Sequence, residues 1–207
     1  EGEVRQHVAD YYGMIEHMDA KIGQVFAALE ASGRADDTIV VYTADHGLAV
    51  GQHGLMGKQN MYEHSVSVPL VVRGEGVPSG KAVDALSLTY DIYPTLCDLA
   101  GIEVPECVES RCLLPLMENG KAVLHETVYS HYKDIQRMVC DGRWKLMVSA
   151  PEGQPRKEWL FDLSAEGEWR DLLAEQPDIA SRLREALYGH NHEQEPSRWT
   201  WVITNAC

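Results

Sequence analysis

The sequence predicts an α/β fold: part of a mixed or parallel sheet with flanking helices, then a small antiparallel sheet carrying a helix. Three observations predict it. Residues 4–32 place Val8, Tyr11, Tyr12, Ile15, Met18, Ile22, Val25, Phe26 and Leu29 mostly three or four apart, the spacing of an amphipathic helix. Thr38-Ile-Val-Val-Tyr-Thr43 is a continuous β-branched run, the pattern of a strand buried on both faces. After Pro115 the texture changes to short strand-like runs, two of them joined by Asp141-Gly142, a hairpin turn pair.

The elements follow in order. Gly33 stops the first helix, and Asp36-Asp37 turns the chain into the strand at 38–43. Residues 44–65 read as loop, rich in glycine and polar groups. A second strand, 68–73, contains Pro69 near its start and ends in the turn at 74–80. Thr89 is placed to cap a helix reaching Ala100, which Gly101 closes. Strands are expected at 125–130, 136–140, 143–149 and 159–163, then a helix over 176–188 and a polar tail. The chain therefore divides into an α/β part, 1–120, and an antiparallel sheet with a helix, 121–207.

Composition excludes several function classes. The 207 residues hold 32 acidic and 18 basic side chains, a net charge of −14. Phosphate neutralisation needs clustered Lys and Arg, so nucleic acid is excluded as the main partner, and an anionic membrane surface with it. The longest apolar runs fall far short of the roughly 18 residues of a spanning helix. Cys97, Cys107, Cys112, Cys140 and Cys207 form no C-x-x-C pair, which argues against a disulfide framework or a zinc site. No leader pattern is visible, and the compartment, cytoplasm or periplasm, is left open.

The chemistry concentrates between Thr43 and His64, at the end of the first predicted strand. In open α/β sheets ligands gather outside the carboxyl ends of strands. Asp45 and His46 offer an oxygen and a nitrogen that can share one metal ion if the backbone turns sharply, which Gly47 permits. Alternatively, Asp45 accepts loop amides and His46 is a packed ring. Lys58 is either a point charge for a tetrahedral oxyanion or a solvated cation, and His53 alone reads as a loop-stabilising donor. Gly57-Lys58 does not complete a P-loop: Gln52 stands at its first glycine and Gln59 follows the lysine.

The series of landmarks resembles the sulfatases of the alkaline phosphatase superfamily, specifically their C-terminal half. The strand and loop over 37–47 are similar to that family's metal strand. Gly51-Gln-His-Gly54, Gly57-Lys58, Tyr62-Glu63 and Val68-Pro-Leu-Val-Val72 follow in family order. Asp91-Ile-Tyr-Pro-Thr-Leu96, Leu99-Ala-Gly101, Ser110-Arg-Cys-Leu-Leu-Pro-Leu116 and Leu160-Phe-Asp-Leu163 with Asp171-Leu172 continue it. The resemblance implies a sulfuric ester hydrolase acting on a small-molecule or carbohydrate sulfate ester. It implies a divalent cation, calcium in most relatives with magnesium or manganese as alternatives, and a formylglycine nucleophile. Asp45 and His46 would then ligate the metal, Lys58 would contact the sulfate, and His53 would sit near the leaving group. Many relatives carry Asn where His46 stands, and Arg where Ser67 stands.

The family's nucleophile sequence, Cys or Ser followed by x-Pro-Ser-Arg, does not occur in the chain, nor does its pair of further Asp ligands. Cys107-Val-Glu-Ser-Arg111 carries Glu109 in place of the proline and runs directly into a later landmark, so it is not that nucleophile. The 207 residues alone are therefore expected not to hydrolyse an aryl sulfate, which a direct rate measurement checks. A phosphatase, phosphodiesterase or phosphomutase of the superfamily, with His64 recruited as a further ligand, is the alternative; a non-catalytic binding module is the third. Trp144, Trp159 and Trp169 are expected to pack the small sheet against its helix rather than to form a carbohydrate platform. His190 and His192 are expected to be solvated. Substrate identity and oligomeric state have no signature in the sequence.

Overall fold

A computed structural model describes residues 2–120, 122–164 and 167–191. In chain order the elements are α1 (Gly2–Ala31), β1 (Val40–Thr43), β2 (Ala49–Val50), β3 (Met56–Gly57), α2 (Glu63–Val66), β4 (Leu70–Arg73), α3 (Ile92–Leu99), α4 (Leu114–Glu118), β5 (Val128–Tyr132), β6 (Gln136–Cys140), β7 (Trp144–Ser149), β8 (Lys157–Asp162) and α5 (Pro177–Asn191). The α/β class and the later antiparallel sheet with its helix match the expectation. His192 and the rest of the tail lie outside the described residues, as does the side chain of His190.

β1 pairs antiparallel with β4, Val40 opposite Arg73 and Thr43 opposite Leu70, and every pairing among the described strands is antiparallel. β4 starts one residue after Pro69, which has no N–H to give to a ladder. Two-sided burial of the first strand is not found: Tyr42 and Thr43 are exposed, and Val71 on the partner strand is exposed as well. α1 likewise buries no residue, though Arg73 stacks its guanidinium over Phe26. A periodic apolar pattern records that a face is built to be covered; it does not say that the covering elements lie among the described residues.

The predicted cap at Thr89 is corrected. Residues Thr89–Asp91 form one 3₁₀ turn before α3, and the carboxylate that organises it is Asp91, fully buried. Asp91 accepts the Leu88 N–H at 2.8 Å and the Arg111 N–H at 3.0 Å, and its Oδ2 lies 2.7 Å from His125 Nε2. Three partners from separate segments take the place of water around this buried carboxyl group.

The core lies on both faces of the meander β5-β6-β7-β8. Alternation along the strands sends Val139, Leu146, Val148 and Leu160 to one face, where Ala180, Leu183 and Leu187 of α5 cover them. Val128, Met138, Cys140, Met147 and Phe161 face the other way and pack on Met61, Val66 and Leu88. The meander is thus the wall against which residues 58–66 are seated. Asp141-Gly142 makes the predicted turn, with Asp141 Oδ1 accepting from the amides of Arg143 and Trp144. Burial would raise the Asp141 carboxyl, but the Arg182 guanidinium and those amides outweigh it and hold it below its ordinary value. Trp144 packs with the α5 cluster and Trp159 with the opposite one, as sheet packing requires. Trp169 does neither.

Candidate metal and anion site

The loop leaving β1 carries the chemistry. Asp45 Oδ1 accepts the His46 N–H at 2.9 Å, which bends the chain back on itself immediately after the strand. Gly47 follows, its N–H donating to the Ser65 carbonyl at 2.9 Å. A Cβ on Gly47 would stand 2.1 Å from the His64 carbonyl oxygen, so only glycine allows this close approach of the two backbone segments.

That packing sets the tautomer of His46. Its Nδ1 lies 2.9 Å from the Gly47 carbonyl oxygen, an acceptor only, so Nδ1 carries the hydrogen and Nε2 of the neutral ring presents a lone pair. Asp45 Oδ2 is 3.3 Å from Nε2, and Lys58 Nζ is 2.5 Å from it. The Nε2 lone pair accepts a hydrogen bond from the Lys58 ammonium. A ring nitrogen with its partner nitrogen anchored to a backbone carbonyl is also the arrangement that orients a metal-ligating histidine. The Asp45 side chain is 83% exposed and open to a ligand from solvent. The pair therefore fits a divalent cation as two donors of a larger set. No group of three or more His, Cys, Asp or Glu side chains arranged for a metal occurs among the described residues.

The other sequence-predicted residue, His53, is held differently. Its backbone is in the left-handed region, φ 53° and ψ 22°, inside the tight turn Gln52–Gly54. Gln59, next to Lys58, is also left-handed at φ 77°. Non-glycine residues in this conformation cost of order 1–3 kcal/mol and persist where the surroundings over-determine them. For His53 the surroundings are aromatic: its ring stacks on Tyr62 at 4.0 Å and on Trp169 at 4.3 Å, a three-ring sandwich. The His64 ring lies 5.7 Å from those of both His53 and Tyr62. Burial first, then the neighbouring His53, lowers the His64 pKa, and its Nε2 is buried without a hydrogen-bond partner.

Sequence reasoning missed the support beneath this loop. Lys145 of β7 is fully buried, with Nζ 2.6 Å from Glu63 Oε1 and 2.9 Å from Glu168 Oε1, the second an ionic contact without hydrogen-bond alignment. Glu168 in turn accepts the Glu63 N–H through Oε2 at 2.7 Å. Burial would depress the Lys145 ammonium, but Glu63 and Glu168 outweigh it and hold it above its ordinary value. Burial holds Glu63 above its ordinary value against the pull of Lys145. One signal was available: in Trp-Lys-Leu-Met-Val, strand alternation puts Lys145 on the same face as Met147, where only a paired lysine survives.

The chain is similar to known proteins over most of its length. The family model described as Sulfatase matches residues 1–102. Arylsulfatase K of Mus musculus is 33% identical over 200 residues, covering 90% of this chain and 36% of the relative. A solved structure of a protein in complex with its substrate D-glucosamine-2-N,6-O-disulfate superposes with a TM-score of 0.74 at 26% identity, over 87% of this chain and 40% of that one. A phosphonate monoester hydrolase from Silicibacter pomeroyi superposes with a TM-score of 0.73 at 27% identity, over 91% of this chain and 42% of that one. The chain thus spans about 36% of the length of the curated relative it matches. By these matches the chain belongs to the sulfatase family, whose enzymes generally use a metal ion.

Proposed function

We propose that these residues form the metal and sulfate side of a sulfuric ester hydrolase acting on a sulfated carbohydrate. The convergence of Asp45 Oδ2, His46 Nε2 and Lys58 Nζ carries the reading. Asp45 and His46 would hold a divalent cation, calcium by family resemblance, and the cation would supply charge neutralisation at the sulfate oxygens. The Lys58 ammonium would meet a sulfate oxygen as a compact point charge. His53, fixed by its aromatic sandwich, belongs on the leaving-group side. A formylglycine would be the nucleophile, supplied from outside these 207 residues. The sugar class is supported by the solved relative whose bound substrate is a glucosamine disulfate.

A second reading, phosphonate or phosphate monoester hydrolysis, is favoured by one observation. His46 puts nitrogen where calcium prefers oxygen, and nitrogen suits a transition metal such as manganese; a phosphonate monoester hydrolase shares the fold. Calorimetric titration of the whole protein with calcium and with manganese tests both. Asp45→Ala is expected to weaken either metal at least tenfold, and His46→Asn to shift preference from manganese toward calcium. Metal affinity unchanged by Asp45→Ala would overturn the assignment.

A further inference from the structure

We infer that the open face of the Trp169 indole is a sugar-stacking subsite, which receives the pyranose ring of a sulfated carbohydrate next to the sulfate site; this rests on the sulfate-ester reading above. Trp169 is 69% exposed, an unusual state for the largest apolar side chain on a protein that buries Trp144 and Trp159 at least in part. One indole face is already covered by the His53 ring at 4.3 Å, so the exposed surface includes the opposite face.

That face is held in place from below. Glu168 is nearly fully buried and is clamped by Lys145 and by the Glu63 N–H, which fixes the backbone one residue before the tryptophan. Gly167, at φ 75°, lets the indole edge lie across it: a Cβ there would stand 2.5 Å from Nε1. The indole is thus braced on one face and along one edge.

Its location suits a substrate rather than packing. His53 lies in the same loop as Asp45, His46 and Lys58, and the neighbouring His64 rests its backbone on Gly47, beside His46. A sulfated sugar could place its anion at Lys58 while its ring carbons lie over the indole. The electron-rich indole face attracts the partly positive C–H hydrogens of a pyranose. On a chain of net charge −14, an uncharged contact of this kind adds affinity for an anionic sugar that general electrostatics would oppose.

The test uses the tryptophan indole N–H signals of the whole protein, supplied with divalent metal. The signal missing from Trp169→Phe is assigned to Trp169, and the protein is titrated with glucosamine 6-sulfate and, separately, with inorganic sulfate. The expected result is that the sugar sulfate moves the Trp169 signal and inorganic sulfate does not. Trp169→Ala should weaken the sugar sulfate by roughly three- to tenfold, the worth of one aromatic stack, and leave inorganic sulfate unaffected. If both ligands shift amide signals around Lys58 while neither moves Trp169, the subsite is wrong and the sulfate site stands. If the sugar sulfate moves Trp169 while neither ligand disturbs Lys58, the subsite stands and the sulfatase reading fails. No response of Trp169 to any sugar overturns the proposal.

Discussion

Replacing Lys145 with alanine is expected to lower the unfolding free energy by about 3–5 kcal/mol, the cost of leaving a buried charge without its partner. In a chain of this size that is a fall of roughly 6–20 °C in the thermal midpoint. The reason is the carboxylate pair. Glu63 and Glu168 approach one ammonium within 2.6 and 2.9 Å, and without it two partly or wholly buried negative charges face each other. The defect has a pH signature. Glu63 already sits above its ordinary value, and loss of Lys145 pushes it higher. A carboxyl with a raised folded pKa stabilises the fold below its unfolded value, and that contribution is lost as pH rises through the folded value. Lys145→Ala should therefore be closest to wild type near pH 4 and worst above neutrality. Adding Glu63→Gln and Glu168→Gln should recover part of the loss. Circular-dichroism melts of the three proteins across pH check this, and a defect independent of pH would remove the ion triad as its cause.

Lys58→Ala is expected to reduce kcat for a sulfate ester by about 10²–10³ in the whole protein, the effect of removing one preorganised donor from a developing oxyanion. The position is special because the ammonium is already aimed: His46 Nε2 holds Nζ at 2.5 Å. Lys58→Arg should recover only part of the rate, since a planar fork cannot occupy the place of a compact ammonium at His46 Nε2. Stability should change little, because Lys58 is a loop residue outside both core clusters.

How much of this was legible follows from what spacing can encode. Asp45, His46, Gly47 and Lys58 lie within one loop after a β-branched strand, so order along the chain already brought them together. The four-stranded meander and its helix were also readable, because alternation and turn residues are local. Lys145 and its partners were not: Glu63 is 82 positions away in sequence, and no periodic pattern joins them. Trp169 was assigned to packing by its residue type, and the structure places it on His53 instead. The cap at Thr89 failed for a similar reason, because Asp91 draws its partners from Arg111 and His125, far along the chain. Local chemistry pointed to the site; long-range pairs hold it.

The proposed role of the loop from Asp45 to Lys58 is to handle a sulfate ester through a bound cation. The most direct measurement is kcat/KM of the whole protein for an aryl sulfate and for an aryl phosphonate monoester, each before and after chelation of divalent metal and with Lys58→Ala. Sulfate-ester turnover is expected to exceed phosphonate turnover, vanish on chelation, return with metal and fall by two to three orders of magnitude in the variant. Sulfate-ester turnover that survives both chelation and Lys58→Ala, or a protein that cleaves the phosphonate and leaves the sulfate intact, would contradict it.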